Sequence, residues 1–153
     1  MKIWRLTRAP FVALDGAGAL RSGGRYSSPG RAVVYAASEA ALAVLIALRY
    51  WPGDGPGQPD DYQLGWTILP ATPPRVPPMG DEPTKKWVDA WLADGGSVAV
   101  AVASRVLPEA DVVLINPAHA DAARILPLAT RPFAFAQCLH RPPMLDAYRN
   151  DLA

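Results

Sequence analysis

Cysteine is almost absent. Cys138 is the only one in 153 residues, which excludes an internal disulfide and a cysteine zinc cluster. Histidine is nearly as scarce, with His119 and His140 alone. Neither sits in an H-E-x-x-H motif or beside a carboxylate cluster, so no metal is expected. An excess of one charge is lacking too. The formal net charge is +1, which gives no bulk attraction to nucleic acid or to an anionic membrane. No apolar run approaches the length of a bilayer span. The opening "MKIWRLTRAP" has no apolar core of a signal peptide, and a cytoplasmic protein is the expectation.

What is present fits a folded globular chain. Half the residues are apolar and 19% are charged, enough for one domain, 1–153, with a real core. The 17 prolines cluster in residues 70–83, where a long ordered connection is expected. Alternating or β-rich runs predict strands at residues 2–6, 32–36, 62–69, 97–103, 111–116 and 131–139. A helix is expected after Ser38 as N-cap, running to about Tyr50 with Leu42, Leu45, Ile46 and Leu48 largely buried. A shorter helix in residues 82–96 places Trp87 and Trp91 on one face and stops at Gly95 and Gly96. Residues 9–18 read as loop, and "PAHADAARIL" as a helical turn. Several short strands with two convincing helices predict an α+β fold, a compact mixed sheet core with few helices.

The chemistry-bearing stretch is "GGRYSSPGRAVVYAAS", residues 23–38. A hairpin needs only the Pro-Gly turn. Two further glycines let backbone approach something closely, and Arg25 stands at that approach. An arginine beside bare amides can grip phosphate oxygens in a bidentate way; a surface arginine in a glycine-rich turn is the competing account. Neither a Walker motif nor a G-x-G-x-x-G fingerprint surrounds it. Tyr35 ends a buried strand, where its ring can stack on a base or simply fill core. Ser104 ends the run "SVAVAVA" and offers a hydroxyl at a strand end, without any G-x-S-x-G elbow; a turn serine explains it equally. Asn116 and His119, in "INPAH", fit a structural turn with capping as well as a ligand contact.

In order and spacing, these segments resemble the RES-domain family, named for its Arg, Glu and Ser residues. "WRLTR" carries Arg5, which matches an arginine of the family's opening strand. "GGRYSSPGRAVVYAAS" is close to a GGRW-N-S-P-G…Y pattern, "VASRVLPEADVVLINPAHADAARI" is close to a P-S…N-x-L-x-N-P-x-H pattern, and "RPFAFAQCL" closes the match. The resemblance implies a fold related to ADP-ribosyltransferases, a cleft for NAD as substrate without a metal, and cleavage of the nicotinamide–ribose bond. It implies that Arg25 holds the pyrophosphate or adjacent ribose, that Tyr35 lines the nicotinamide side, and that Ser104 hydrogen-bonds near the reacting sugar. Arg5 and Asn116 are supporting contacts. It also implies a toxin role in a bacterial toxin–antitoxin pair. The partner would be an antitoxin of Xre, helix-turn-helix type whose end can plug the cleft.

The departures matter as much. Counting from Tyr35, the family glutamate falls at position 46, where this chain has Ile46. Tyr50 replaces a histidine one turn later, Tyr26 and Ser27 replace Trp-Asn, and Ala136 and Cys138 replace an Asp and an Arg. Isoleucine can neither stabilise a cation nor accept a proton. Glu39 is seven residues earlier, about 10 Å along the helix axis. Losing one such stabiliser costs on the order of 10²–10³ in rate. Three readings stay open: a divergent member using another carboxylate, a member with weak or lost catalysis, or a substitution that makes a toxic protein tolerable. Three functions follow. They are NAD degradation by hydrolysis or phosphorolysis, ADP-ribose transfer to a protein acceptor, and a catalytically impaired module that binds NAD or a partner.

Overall fold

The computed structural model describes residues 1–53 and 56–139. Among these, six strands form one antiparallel sheet. They are β1 (Lys2–Arg8), β2 (Val34–Ala37), β3 (Tyr62–Ile68), β4 (Ala99–Ala103), β5 (Asp111–Ile115) and β6 (Ala129–Pro132), in the spatial order β4-β5-β2-β1-β3-β6. Four α-helices accompany them: α1 (Ala17–Ser22), α2 (Ala40–Leu48), α3 (Asp81–Asp94) and α4 (Phe135–Cys138). The α+β expectation therefore holds.

The apolar run of β5 is explained by burial on both faces. Val112 and Leu114 pack with Val88 and Trp91 of α3, while Val113 and Ile115 join Ile3, Val34 and Ile125 on the other side. Successive residues of a strand point to opposite faces, so a strand covered twice must be apolar throughout. A third cluster packs Leu42 and Ala43 of α2 against Leu64, with Trp4 and Leu6 of β1 beside them. The predicted tryptophan face of α3 is partly sealed: Trp91 is buried, and its indole N–H donates to the carbonyl and hydroxyl of Ser97 at 3.1 Å each. Gly95 ends that helix in the left-handed region, φ +66°, its N–H returning to the Trp91 carbonyl.

Three local expectations are corrected. Ser38 is not the cap of α2. Glu39 holds that position in extended backbone without a side-chain cap bond, while the Ser38 hydroxyl accepts the Asp111 N–H at 2.9 Å and so ties the entry of α2 to β5. The loop at 9–18 contains a 3-10 turn, Ala9–Phe11, and the first residues of α1. The last strand is shorter and earlier than residues 131–139. It stops at Pro132, after which the Phe133 N–H makes one last bond to the Tyr62 carbonyl at 2.9 Å. Phe135 then turns inward on the short α4, stacked on Trp51 at 5.1 Å and edge-on to Tyr62 and Phe133. Aromatic packing overrides the strand pattern there. Helix α2 is also less buried than expected, with Leu42 enclosed but Leu45 exposed.

One break in the sheet positions the site. β1 pairs with β3 at all seven of its residues, Lys2 to Arg8, yet it pairs with β2 at a single register point, Trp4↔Ala37. Beyond that point the two strands part.

Candidate functional site

The parting of β1 and β2 opens a cleft of about 610 Å³, within the range of small-molecule sites. Residues from β1, the 23–27 hairpin, β2, α2 and the turn after β4 line it. Five of the six residues singled out in the sequence meet there: Arg5, Arg25, Tyr35, Ile46 and Ser104.

Arg5 bridges the split. Its guanidinium donates to the Tyr35 carbonyl at 3.1 Å, the backbone group that a continuous sheet would pair with β1. A second, longer contact reaches the Phe11 carbonyl at 3.5 Å. Its Nε is buried without a partner. Burial lowers the Arg5 pKa from its ordinary value, and the charge of Asp15 pulls it back up. A partly desolvated guanidinium in a cleft wall has the chemistry to hold an anion.

Arg25 stands at the tip of a two-residue hairpin. Gly24 and Ser27 form an isolated antiparallel bridge, with the Gly24 N–H donating to the Ser27 carbonyl at 2.9 Å. Tyr26 turns into the core and Arg25 is exposed. The glycines have separate reasons. Gly23 closes α1 at φ +67°. At Gly24 a Cβ would lie 2.7 Å from Tyr35 Cζ and 2.9 Å from Cε2. The close approach foreseen for a ligand is thus made first by the Tyr35 ring. Its hydroxyl accepts the Tyr26 N–H at 3.1 Å and shares a hydrogen bond with Ser27 Oγ at 2.9 Å. Burial raises the Tyr35 pKa, so the phenol stays protonated. Tyr35 both lines the cleft and pins the loop that carries Arg25.

Ser104 is buried, and its Oγ accepts the N–H groups of Val106 and Leu107 at 3.2 Å each. Ser104 forms the turn and also lines the cleft. With both lone pairs engaged, the hydroxyl has only its proton to offer a ligand. Ile46 is half-buried between two core clusters and faces the cleft from α2. Glu39 is not among the lining residues.

Asn116 lies elsewhere. Ala103 pairs with Asp111 and Ala99 with Ile115, so Ser104 and Asn116 leave opposite ends of the β4–β5 hairpin, about 20 Å of strand apart. Asn116 is buried, and its side-chain carbonyl accepts the Ala118 N–H at 3.0 Å, a turn-forming role. His119 is likewise a cap, its Nδ1 accepting the Asp121 N–H at 3.0 Å.

Three arginines of the cleft were not singled out in the sequence: Arg8, Arg49 and Arg105. Arg8 and Arg105 are paired with Asp61 and Asp81 at 2.8 Å. Arg49 follows Ile46 by three residues, one helical turn, which is the signal that points to it. Among the described residues, the lining contains five arginines and no aspartate or glutamate.

An α+β chain whose sheet splits around a cationic hollow of nucleotide size has counterparts among known proteins. The sequence profile of the RES domain matches residues 2–136, and the chain belongs to that family. A Pseudomonas putida protein named Toxin Res is 32% identical over 130 residues, covering 80% of this chain and 88% of the relative. A Sphingobium protein named Prs ADP-ribosylating toxin is 34% identical over 123 residues, 71% of this chain and 75% of the relative. The fold matches a chain in the crystal structure of the M. tuberculosis MbcT–MbcA toxin–antitoxin complex. The TM-score is 0.67 at 16% identity, over 89% of this chain and 85% of that one.

Proposed function

We propose that this chain is the toxin of a toxin–antitoxin pair and that its cleft takes NAD, acting at the nicotinamide–ribose bond. The observation that carries the reading is that Arg5 and Arg25, neither with an ion-pair partner among the described residues, line one cleft. Two guanidinium groups and no competing carboxylate suit a pyrophosphate. Tyr35 supplies an aromatic face, and the Ser104 proton can be donated to a sugar oxygen. Departure of nicotinamide leaves an oxocarbenium-like ribose, and water or phosphate then completes degradation. Transfer to a protein side chain is the variant suggested by the name of the Sphingobium relative. The antitoxin would be a helix-turn-helix protein whose end enters the same cleft.

A second reading is favoured by Ile46. The wall where the resemblance expects a glutamate is apolar, so positive charge on the ribose has no stabiliser there. The chain then binds NAD and turns it over weakly or not at all. One experiment separates the two. The chain is incubated with NAD beside its Ile46→Glu variant, nicotinamide release is followed, and NAD binding is measured by calorimetry. Release by the native chain supports the toxin reading. Release only after Ile46→Glu, with binding in both, supports the impaired module. Absence of both release and binding overturns the NAD cleft.

A further inference from the structure

We infer that the cleft prefers an anionic nucleoside diphosphate lacking the nicotinamide cation, such as ADP-ribose, over NAD itself; this rests on the NAD reading of the same site. The inference comes from the charges that line the cleft. Two of its five arginines are neutralised by Asp61 and Asp81. Arg5, Arg25 and Arg49 have no ion-pair partner among the described residues, and no carboxylate lines the cleft with them. The nearest compensating charge on Arg5 is the field of Asp15, which makes no contact with its guanidinium. The surplus in the cleft is therefore positive on every side that carries charge.

NAD and ADP-ribose present the same pyrophosphate to those arginines. They differ where the pyridinium stands: NAD carries a fixed positive charge on that ring, and ADP-ribose a neutral hydroxyl. In a hollow with uncompensated guanidinium groups, that cation is repelled and meets no acid to offset the repulsion. What the cleft offers it instead is aromatic faces, among them Trp4, Tyr35, Tyr50 and Tyr62, and the apolar α2 wall at Ala43, Ile46 and Ala47. An aromatic face returns part of the loss. The same two molecules in a cleft with a carboxylate at position 46 would be ranked the other way.

The test is calorimetric titration of the full chain with ADP-ribose and with a carbocyclic NAD analogue whose nicotinamide bond cannot be cleaved. ADP-ribose is expected to bind about tenfold more tightly at low salt, with the gap narrowing as salt rises. Ile46→Glu is expected to shrink or reverse the gap, and Ile46→Gln, of similar size and uncharged, to preserve it. Equal binding, or tighter binding of the NAD analogue by the native chain, overturns the inference while leaving the NAD cleft standing. Binding of neither overturns both. The native-chain comparison decides the matter even where a variant fails to fold.

Discussion

The two walls of the cleft are built on different principles. The hairpin wall, residues 23–27 with Tyr35 behind it, is polar, and its backbone and hydroxyl contacts are mutually satisfied. A side chain at Gly24 would have nowhere to go. The helix wall, α2, is a run of nine aliphatic residues, AALAVLIAL, and offers the ligand no polar side chain of its own. One wall is specified atom by atom, and the other by volume and apolarity alone. The difference teaches that one cleft can join a wall of fixed polar contacts to a wall that only fills space, so substitutions on the two should be felt in different ways.

Substitutions can break or sharpen that contrast. The largest effect is expected from Gly24→Ala. Its Cβ meets the Tyr35 ring, which should cost about 1–3 kcal/mol of stability and abolish ligand binding by displacing Arg25; thermal melting and calorimetry read the two effects. Unchanged melting would mean that the hairpin wall is no more tightly specified than the helix. Next is Arg25→Ala. An exposed guanidinium adds little to folding, so stability should hold within about 0.5 kcal/mol, while affinity for ADP-ribose falls about tenfold or more. A fall in stability with no loss of affinity would remove Arg25 from the binding wall.

Tyr35→Phe should act more gently, costing about 1 kcal/mol through the lost hydroxyl contacts. It also has a pH signature. The folded-state pKa of Tyr35 is raised above its ordinary 10.0 by burial. The unfolded chain therefore ionises first, and the stability tied to the neutral phenol is complete below pH 10.0. It is lost as pH climbs from there through the raised value. The phenylalanine variant should lack that part of the alkaline decline in denaturant melts. An identical decline in both proteins would place the titrating group elsewhere.

Much of the architecture was legible because period-two alternation and doubly buried apolar runs leave strong marks, as at β1, β4 and β5. The misread segment, 131–139, shows the limit. Alternation in "RPFAFA" mimics a strand, but Phe135 turns inward to Trp51 and Tyr62, distant partners that no local pattern announces, with Phe133 edge-on beside it. The site was legible in part for a similar reason. Arg25, Tyr35 and Ser104 stand in recognisable local motifs at strand ends and turns. The cleft itself arises from the separation of β1 and β2, a tertiary event, so the paired Arg8 and Arg105 carried no separate mark and Arg49 only its place one helical turn after Ile46. Asn116 enters as a supporting contact through the resemblance alone, its own sequence reading being a turn. Only the antiparallel register shows that its strand end and that of Ser104 face opposite ways.

The lone register point between β1 and β2 has a mechanical consequence. The sheet is two three-stranded leaves, β4-β5-β2 and β1-β3-β6, stitched by Trp4↔Ala37 and by the Arg5 guanidinium reaching the Tyr35 carbonyl. Whatever engages Arg5 therefore pulls on the stitch itself. Occupancy of the hollow and cohesion of the two leaves are bound to one side chain, and amide exchange along the seam should report when that side chain has found its counter-charge.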